Sequence, residues 1–180
     1  MTNVDIENVK IITDHNLVIS GPDIHIIQPR KILIMGLPGS GKTWLGERLS
    51  RALNKPYWDA DVVRGIYNDW DFTLNGRMRQ AKRMCRLADM DLLSFSGFIC
   101  PTEKTRQQFN PHHIIWMDTI KEGRHKDTNK IFEPPDDYDV RFTKWIDENQ
   151  LHKCLEDFNL GMEDIPNYSN ALMQKLGKLQ

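Results

Sequence analysis

Two strings in this chain carry residue types that do chemistry together. Gly36-Leu37-Pro38-Gly39-Ser40-Gly41-Lys42-Thr43 matches G-x-x-x-x-G-K-[ST] in full, and Trp44 follows it. Glycines at those places let successive backbone N–H groups surround phosphate oxygens with no Cβ in the way. The lysine of such a loop reaches the β- and γ-phosphates of a nucleoside triphosphate, and the hydroxyl after it ligates Mg2+. Gly36, Pro38, Gly39, Ser40, Gly41, Lys42, Thr43 and Trp44 are the expected nucleotide-binding set. The second string is Asp59-Ala60-Asp61-Val62-Val63-Arg64. Carboxylates two residues apart can turn into one crevice, one serving the metal through water, the other orienting a hydroxyl or taking its proton. An arginine about a turn later offers a bidentate grip for an anionic acceptor. The plainer use of such aspartates is to cap a helix; the neighbouring phosphate loop favours chemistry.

These strings need elements to hold them. Residues 31–35, Lys-Ile-Leu-Ile-Met, form a continuous apolar run between Pro29 and Gly36, as expected of a strand buried on both faces of a parallel sheet. Residues 43–53 put Leu45, Leu49, Ala52 and Leu53 on one helical face. The phosphate loop thus lies between a strand and a helix, the context the motif requires. A second strand is expected at 56–59, which places Asp59 and Asp61 at the carboxyl edge of the sheet. Met78, Ala81, Cys85 and Ala88 predict a helix over about 75–89, with Arg79, Arg83 and Arg86 opposite. Residues 92–99 and 113–117 read as core strands joined by a helix starting near Pro101. Alternation of strands and helices implies an α/β fold in three layers, with a short parallel sheet wrapped on both faces. The expected organisation is an N-terminal extension with short strands (1–30), a P-loop core (31–142) and a C-terminal helical appendage (143–180) holding two amphipathic helices.

Composition narrows the function. At 180 residues the chain is one domain with room for a core. A hydrophobic share of 39% with 27% charged residues excludes both a disordered and a membrane-embedded chain. No apolar run reaches the length of a transmembrane helix, and the N-terminus has no export pattern. Three cysteines without C-x-x-C spacing fit reduced thiols, hence a cytoplasmic setting. The formal charge of -1 hides a net +4 between Arg64 and Arg86, which points to a local anionic ligand. Asn129-Lys130 is followed by Ile131-Phe132, so the aspartate of a guanine-reading N-K-x-D is absent. The chain is also small for a motor ATPase with a lid domain. A small nucleotide or metabolite kinase, using ATP and Mg2+, remains.

From Lys31 to Asp118 the chain resembles the adenylylsulfate (APS) kinase family, P-loop kinases that phosphorylate the 3′-hydroxyl of adenosine 5′-phosphosulfate. Asp59, Asp61 and Arg64 stand where that family has D-G-D-x-x-R, with Ala60 replacing the glycine. Asn68-Asp69-Trp70-Asp71-Phe72 is similar to its K-D-L-G-F, and Arg77 falls on its next substrate arginine. Gly97-Phe98-Ile99-Cys100-Pro101 resembles its F-I-S-P loop, with Cys100 replacing serine, and Gln80 replaces an asparagine. The resemblance implies that Arg64, Phe72 and Arg77 contact the acceptor, Phe72 by stacking on its adenine. It puts Asp61 by the acceptor hydroxyl and Asp59 with Thr43 near the metal. Gln80, Ile99 and Cys100 complete the implied acceptor set. The family's long lid is replaced by the compact segment 121–135, in which Arg124, Lys126 or Lys130 would stabilise the transferring phosphoryl group. Lys42, Asp61 and Arg124 are the expected catalytic residues.

The expected reaction is transfer of the ATP γ-phosphoryl group to a hydroxyl of a small anionic acceptor, APS foremost. Expected partners are ATP and that acceptor, with a homodimer allowed and no membrane. A second reading keeps the chemistry and changes the acceptor to another nucleotide or a hydroxymethylated base in DNA. There the face of Arg79, Lys82, Arg83 and Arg86 would follow a nucleic-acid backbone. A third is a non-catalytic ATP-binding module whose end (Trp145, Leu151, Leu155, Phe158) docks a partner. Cys100, His112, His113, Met84, Met90 and the tryptophans read as packing residues.

Overall fold

Three short antiparallel strands come first: β1 (Ile11–Ile12), β2 (Leu17–Ser20) and β3 (Asp23–Ile26), with Leu17 opposite Ile26 and Ile11 opposite Ile19. In this computed structural model residues 30–147 and 151 are described with their side chains, and 11–12, 17–20 and 23–26 by their backbone. Most of the expected helical appendage falls outside the described residues; within them, 143–147 are not helical.

The core begins with β4 (Arg30–Met35), buried from Lys31 onward. The phosphate loop follows and leads into α1 (Lys42–Leu53). Then come β5 (Tyr57–Asp59), α2 (Ala60–Tyr67), α3 (Leu74–Ala88), β6 (Leu93–Gly97) and α4 (Glu103–Phe109). The chain closes with β7 (His113–Met117), α5 (Lys126–Ile131) and β8 (Val140–Phe142). Local chemistry marks the ends of the helices. Thr73 caps α3, and a Thr102–Thr105 capping box starts α4. Asn54, Asn68 and Asn110 end α1, α2 and α4 in the left-handed conformation, which asparagine tolerates better than most residues.

The five core strands are all parallel, in the order β5-β6-β4-β7-β8. Leu45, Leu49 and Leu53 of α1 cover one face, against Ile32, Ile34, Phe95 and Ile115. Ala60, Val63, Ala81, Met84 and Phe109 from α2, α3 and α4 cover the other, against Leu33 and Met35. This is the expected three-layer α/β architecture. From β4 the chain runs first to one side and later returns to the other, so a crevice opens at the carboxyl end of β4.

Three elements differ from the sequence expectation. Residues 60–67 form a helix that buries Ala60, Val63 and Arg64 while its apolar Val62, Ile66 and Tyr67 face solvent, so its apolar stripe is not the side it buries. Segment 121–135, expected as a compact replacement for a lid with no helix assigned to it, contains α5; and β8, three residues long, is too short for a period to show. Packing also corrects three residues read as core: Met90, Trp70 and Trp145 are exposed, whereas Met84 and Trp116 are buried.

Candidate functional site

The phosphate loop turns on two hydrogen bonds to Leu37 O, from the Ser40 amide at 3.1 Å and from Lys42 Nζ at 2.9 Å. Gly41 precedes α1 with φ +97, a conformation costly for any residue with a Cβ. Thr119, just beyond β7, donates its hydroxyl to Ser40 O at 2.8 Å and braces the loop from behind. Among the described residues the amides of Gly39, Gly41, Lys42 and Thr43 have no acceptor within the protein. They are free for anion oxygens at the positive end of α1. Burial pushes the Lys42 ammonium down to about 8, against the opposing pull of Asp61 and Asp59. A dianionic phosphate would restore the charge that burial penalises.

Asp59 performs two tasks at once. Its Oδ1 accepts from the amides of Asp61 (2.8 Å) and Val62 (3.4 Å), so it caps α2. Its Oδ2 accepts from Thr43 Oγ1 at 2.9 Å and from Tyr57 Oη at 3.3 Å. The capping role and the role beside the phosphate loop are therefore compatible. Asp61 is exposed and accepts no side-chain hydrogen bond from the described residues, which leaves its carboxylate available. An exposed hydroxyl and two carboxylates beside a phosphate loop suit Mg2+, which takes most of its shell from phosphates and water. Among the described residues no group of three or more His, Cys, Asp or Glu gathers as a protein cage for a metal.

One cleft collects the expected residues. Pro38, Gly39, Lys42, Thr43, Asp59, Asp61, Arg64, Phe72, Arg77, Gln80, Ile99, Cys100 and Arg124 all line it, and it offers about 190 Å³. An adjoining hollow of about 290 Å³ adds Trp70, His125, Asp127 and Thr128 and shares Asp61, Phe72, Arg77 and Arg124. Gly36, Ser40, Gly41 and Trp44 do not line the cleft. Gly36 lies beneath the loop against Met117 O, Ser40 has a fully buried hydroxyl, and the Trp44 ring carries the Arg48 guanidinium at 4.0 Å. Lys126 and Lys130 line neither hollow; Arg124 is the cation of that segment that does.

Two arginines that line the cleft are themselves held. Arg64, buried, donates to Asp69 O (2.9 Å) and Asp71 O (3.1 Å). Arg77, also buried, donates from Nε to Phe72 O at 2.8 Å and from Nη2 to Thr128 Oγ1 at 3.2 Å. It also meets Asp127 Oδ2 at 3.4 Å. Burial lowers both guanidinium pKa values from the ordinary range, opposed by Asp69 for Arg64 and Asp127 for Arg77. Phe72 is 47% exposed, with Arg64 over its ring at 4.6 Å and Trp70 beside it at 6.5 Å. Part of its ring is therefore already covered by a cation. Gln80 donates to Ala60 O at 3.1 Å and locks α3 to α2. Cys100 is buried at φ +45, and burial pushes its thiol up to about 12, so it presents no thiolate.

The basic face of α3 is partly spent. Arg79 pairs with Asp69 (3.1 Å) and Asp71 (2.9 Å), and Arg83 with Asp69 (2.7 Å). His112 accepts the Lys31 amide and His113 pairs with Asp139, as packing residues do. Two residues near the loop had no signal in spacing. Tyr57 reaches Asp59, and Trp145 packs so closely on Gly41 that a Cβ there would lie 2.7 Å from Cζ3.

No family model matches the chain. It is similar to shikimate kinase of Corynebacterium glutamicum, 25% identical over 113 residues, 57% of this chain and 67% of that protein. Shikimate kinase of Corynebacterium efficiens is 30% identical over 102 residues, 51% of this chain and 60% of that protein. The chain thus spans about three fifths to two thirds of these curated relatives. Among solved structures, Mycobacterium tuberculosis APS kinase in complex with AMPPNP and APS superposes with a TM-score of 0.59 at 17% identity, covering 72% of this chain and 96% of that one. Shikimate kinase from Aquifex aeolicus gives 0.52 at 16% identity, covering 73% and 97%. A gluconokinase from Sinorhizobium meliloti gives 0.53 at 12%, covering 74% and 97%. The fold is that of small P-loop kinases; APS kinase is one such neighbour, and the sequence relatives carry another name.

Proposed function

We propose that this chain is an ATP-dependent kinase that transfers the γ-phosphoryl group to a hydroxyl of a small anionic acceptor. One observation carries the reading: Lys42, Thr43, Asp61, Arg64, Arg77 and Arg124 all line a single cleft at the carboxyl end of the sheet. The unpaired loop amides and Lys42 hold the polyphosphate, with Thr43 and Asp59 on the metal side. Bound Mg2+ would neutralise phosphate charge during transfer. Asp61 orients the acceptor hydroxyl and takes its proton as the oxygen bonds to the γ-phosphorus and the bridging P–O bond to ADP breaks. Arg124 meets the charge on the transferring group, and the remaining guanidinium donors of Arg64 and Arg77 bind the acceptor's anionic group.

APS is the acceptor that the aromatic wall favours, since Phe72 and Trp70 present ring surface beside the two arginines. Shikimate is the second reading, favoured by the sequence relatives named for it. The test is to incubate the protein with Mg·ATP and APS, shikimate, gluconate, nucleosides or hydroxymethylated DNA, and follow phosphate into each. Phosphorylation of one small anion, reduced at least about a hundredfold in Lys42→Ala, is expected. Tight ATP binding with transfer to none would replace the enzyme by a nucleotide-binding module. Undiminished activity in Lys42→Ala would remove the phosphate loop from the mechanism.

A further inference from the structure

Tyr57 is wedged where two glycines make room for it. Gly46 lies in the middle of α1, where glycine costs roughly 0.5–1 kcal/mol relative to alanine. Gly97 ends β6. A Cβ on Gly46 would run into the Tyr57 ring, and one on Gly97 into its hydroxyl. Both omissions serve one phenol, which rises between helix and sheet to reach Asp59 Oδ2 at 3.3 Å. The same oxygen accepts from Thr43 Oγ1 at 2.9 Å, while Oδ1 is committed to the cap of α2. Thr43 has one hydroxyl hydrogen, and this arrangement keeps it on the carboxylate; the lone pairs of its oxygen are then available to a cation.

Resting on the kinase reading above, we propose that Tyr57 is a positioning residue for the divalent cation. Its hydroxyl pins Asp59 Oδ2, and through that oxygen it sets the direction in which Thr43 presents its own. Backbone at both glycines packs close on the ring, which leaves the phenol little room to follow a carboxylate that drifts. A carboxylate held by two hydroxyl donors and two backbone amides also resists collapse onto the Lys42 ammonium, which shares its cleft.

Tyr57→Phe keeps the ring between the glycines and deletes only the hydroxyl. The readout is calorimetric affinity for a non-hydrolysable ATP analogue, with Mg2+ and with chelator, in the wild-type and variant proteins. Expected are equal metal-free affinities, a gain from Mg2+ about tenfold smaller in the variant, and a thermal midpoint within a few degrees of wild type. The Mg2+ concentration giving half-maximal phosphoryl transfer should rise by a similar factor. An unchanged Mg2+ gain in a folded variant would overturn the proposal and leave the kinase reading standing. A loss of metal-free affinity equal to the loss with Mg2+ would also overturn it, because the hydroxyl would then support the loop in general. Wild-type protein that binds no nucleotide under either condition would sink the kinase reading itself.

Discussion

Lys42 illustrates how much a single side chain can report about its site. Its ammonium is folded over the loop onto Leu37 O, and burial lowers its pKa to about 8 while Asp61 and Asp59 pull the other way. Phosphate oxygens would favour the charged form and raise that pKa in the complex. Nucleotide affinity should therefore be complete below about pH 7 and weaken as pH rises past 8, by up to about tenfold per unit, with a proton taken up on binding. Titrations at pH 7, 8 and 9 check this, and a flat profile would contradict it. Lys42 and Thr43 were legible because the motif is local, a run of eight residues whose chemistry depends on neighbours in the chain. Tyr57 was not, because its partner Asp59 is close in sequence but the glycines that aim it come from two other elements.

At the scale of elements, α5 is the part that spacing concealed. It is short, begins without a side-chain cap, and keeps most of its side chains in solvent. Its position comes from one distant partner and one near one: Arg77 of α3 holds Asp127 and Thr128, and Asn129 exchanges two 3.0 Å hydrogen bonds with Gly123. Each such bond is worth about 1 kcal/mol net, so Asn129→Ala should speed opening of segment 121–132 by roughly tenfold or more. Hydrogen exchange of that segment's amides measures it; unchanged protection would show that Arg77 alone fastens the helix. The same contacts explain why Arg124, rather than Lys126 or Lys130, lines the cleft: it precedes the helix, at the point where the chain passes Pro38. Between α2 and α3, Asp69 and Asp71 occupy Arg79 and Arg83, so the net positive charge of 64–86 does not make a continuous basic face. A nucleic-acid track along α3 would have to break those pairs.

Across the whole molecule, a five-stranded parallel sheet covered on both faces gives the cleft a rigid floor, while its walls come from connections after β4, β5, β6 and β7. No helix among the described residues is long and apolar enough to cross a membrane. A ligand that binds the folded chain alone stabilises it by mass action, about 2.7 kcal/mol at a hundred times its dissociation constant. Mg·ATP at that excess should raise the unfolding midpoint by several degrees, and Lys42→Ala should lose most of the shift. An equal shift in the variant would place nucleotide binding elsewhere.

The amino-acid order by itself determined β4, the phosphate loop, α1, α3 and the alternation of strands with helices, though not α2, α5 or β8, because those it did determine rest on a local motif or on a sustained apolar face. It also singled out Asp59, Asp61 and Arg64 as one string, and all three line the same cleft. Tertiary structure alone decided that Arg64 and Arg77 reach the cleft while anchored to backbone carbonyls, and that Phe72 is half-covered by a guanidinium. It decided, too, that a tyrosine standing between two glycines holds the carboxylate beside Thr43. Those features depend on surfaces brought together from strands and helices far apart in the chain, and no local period encodes them.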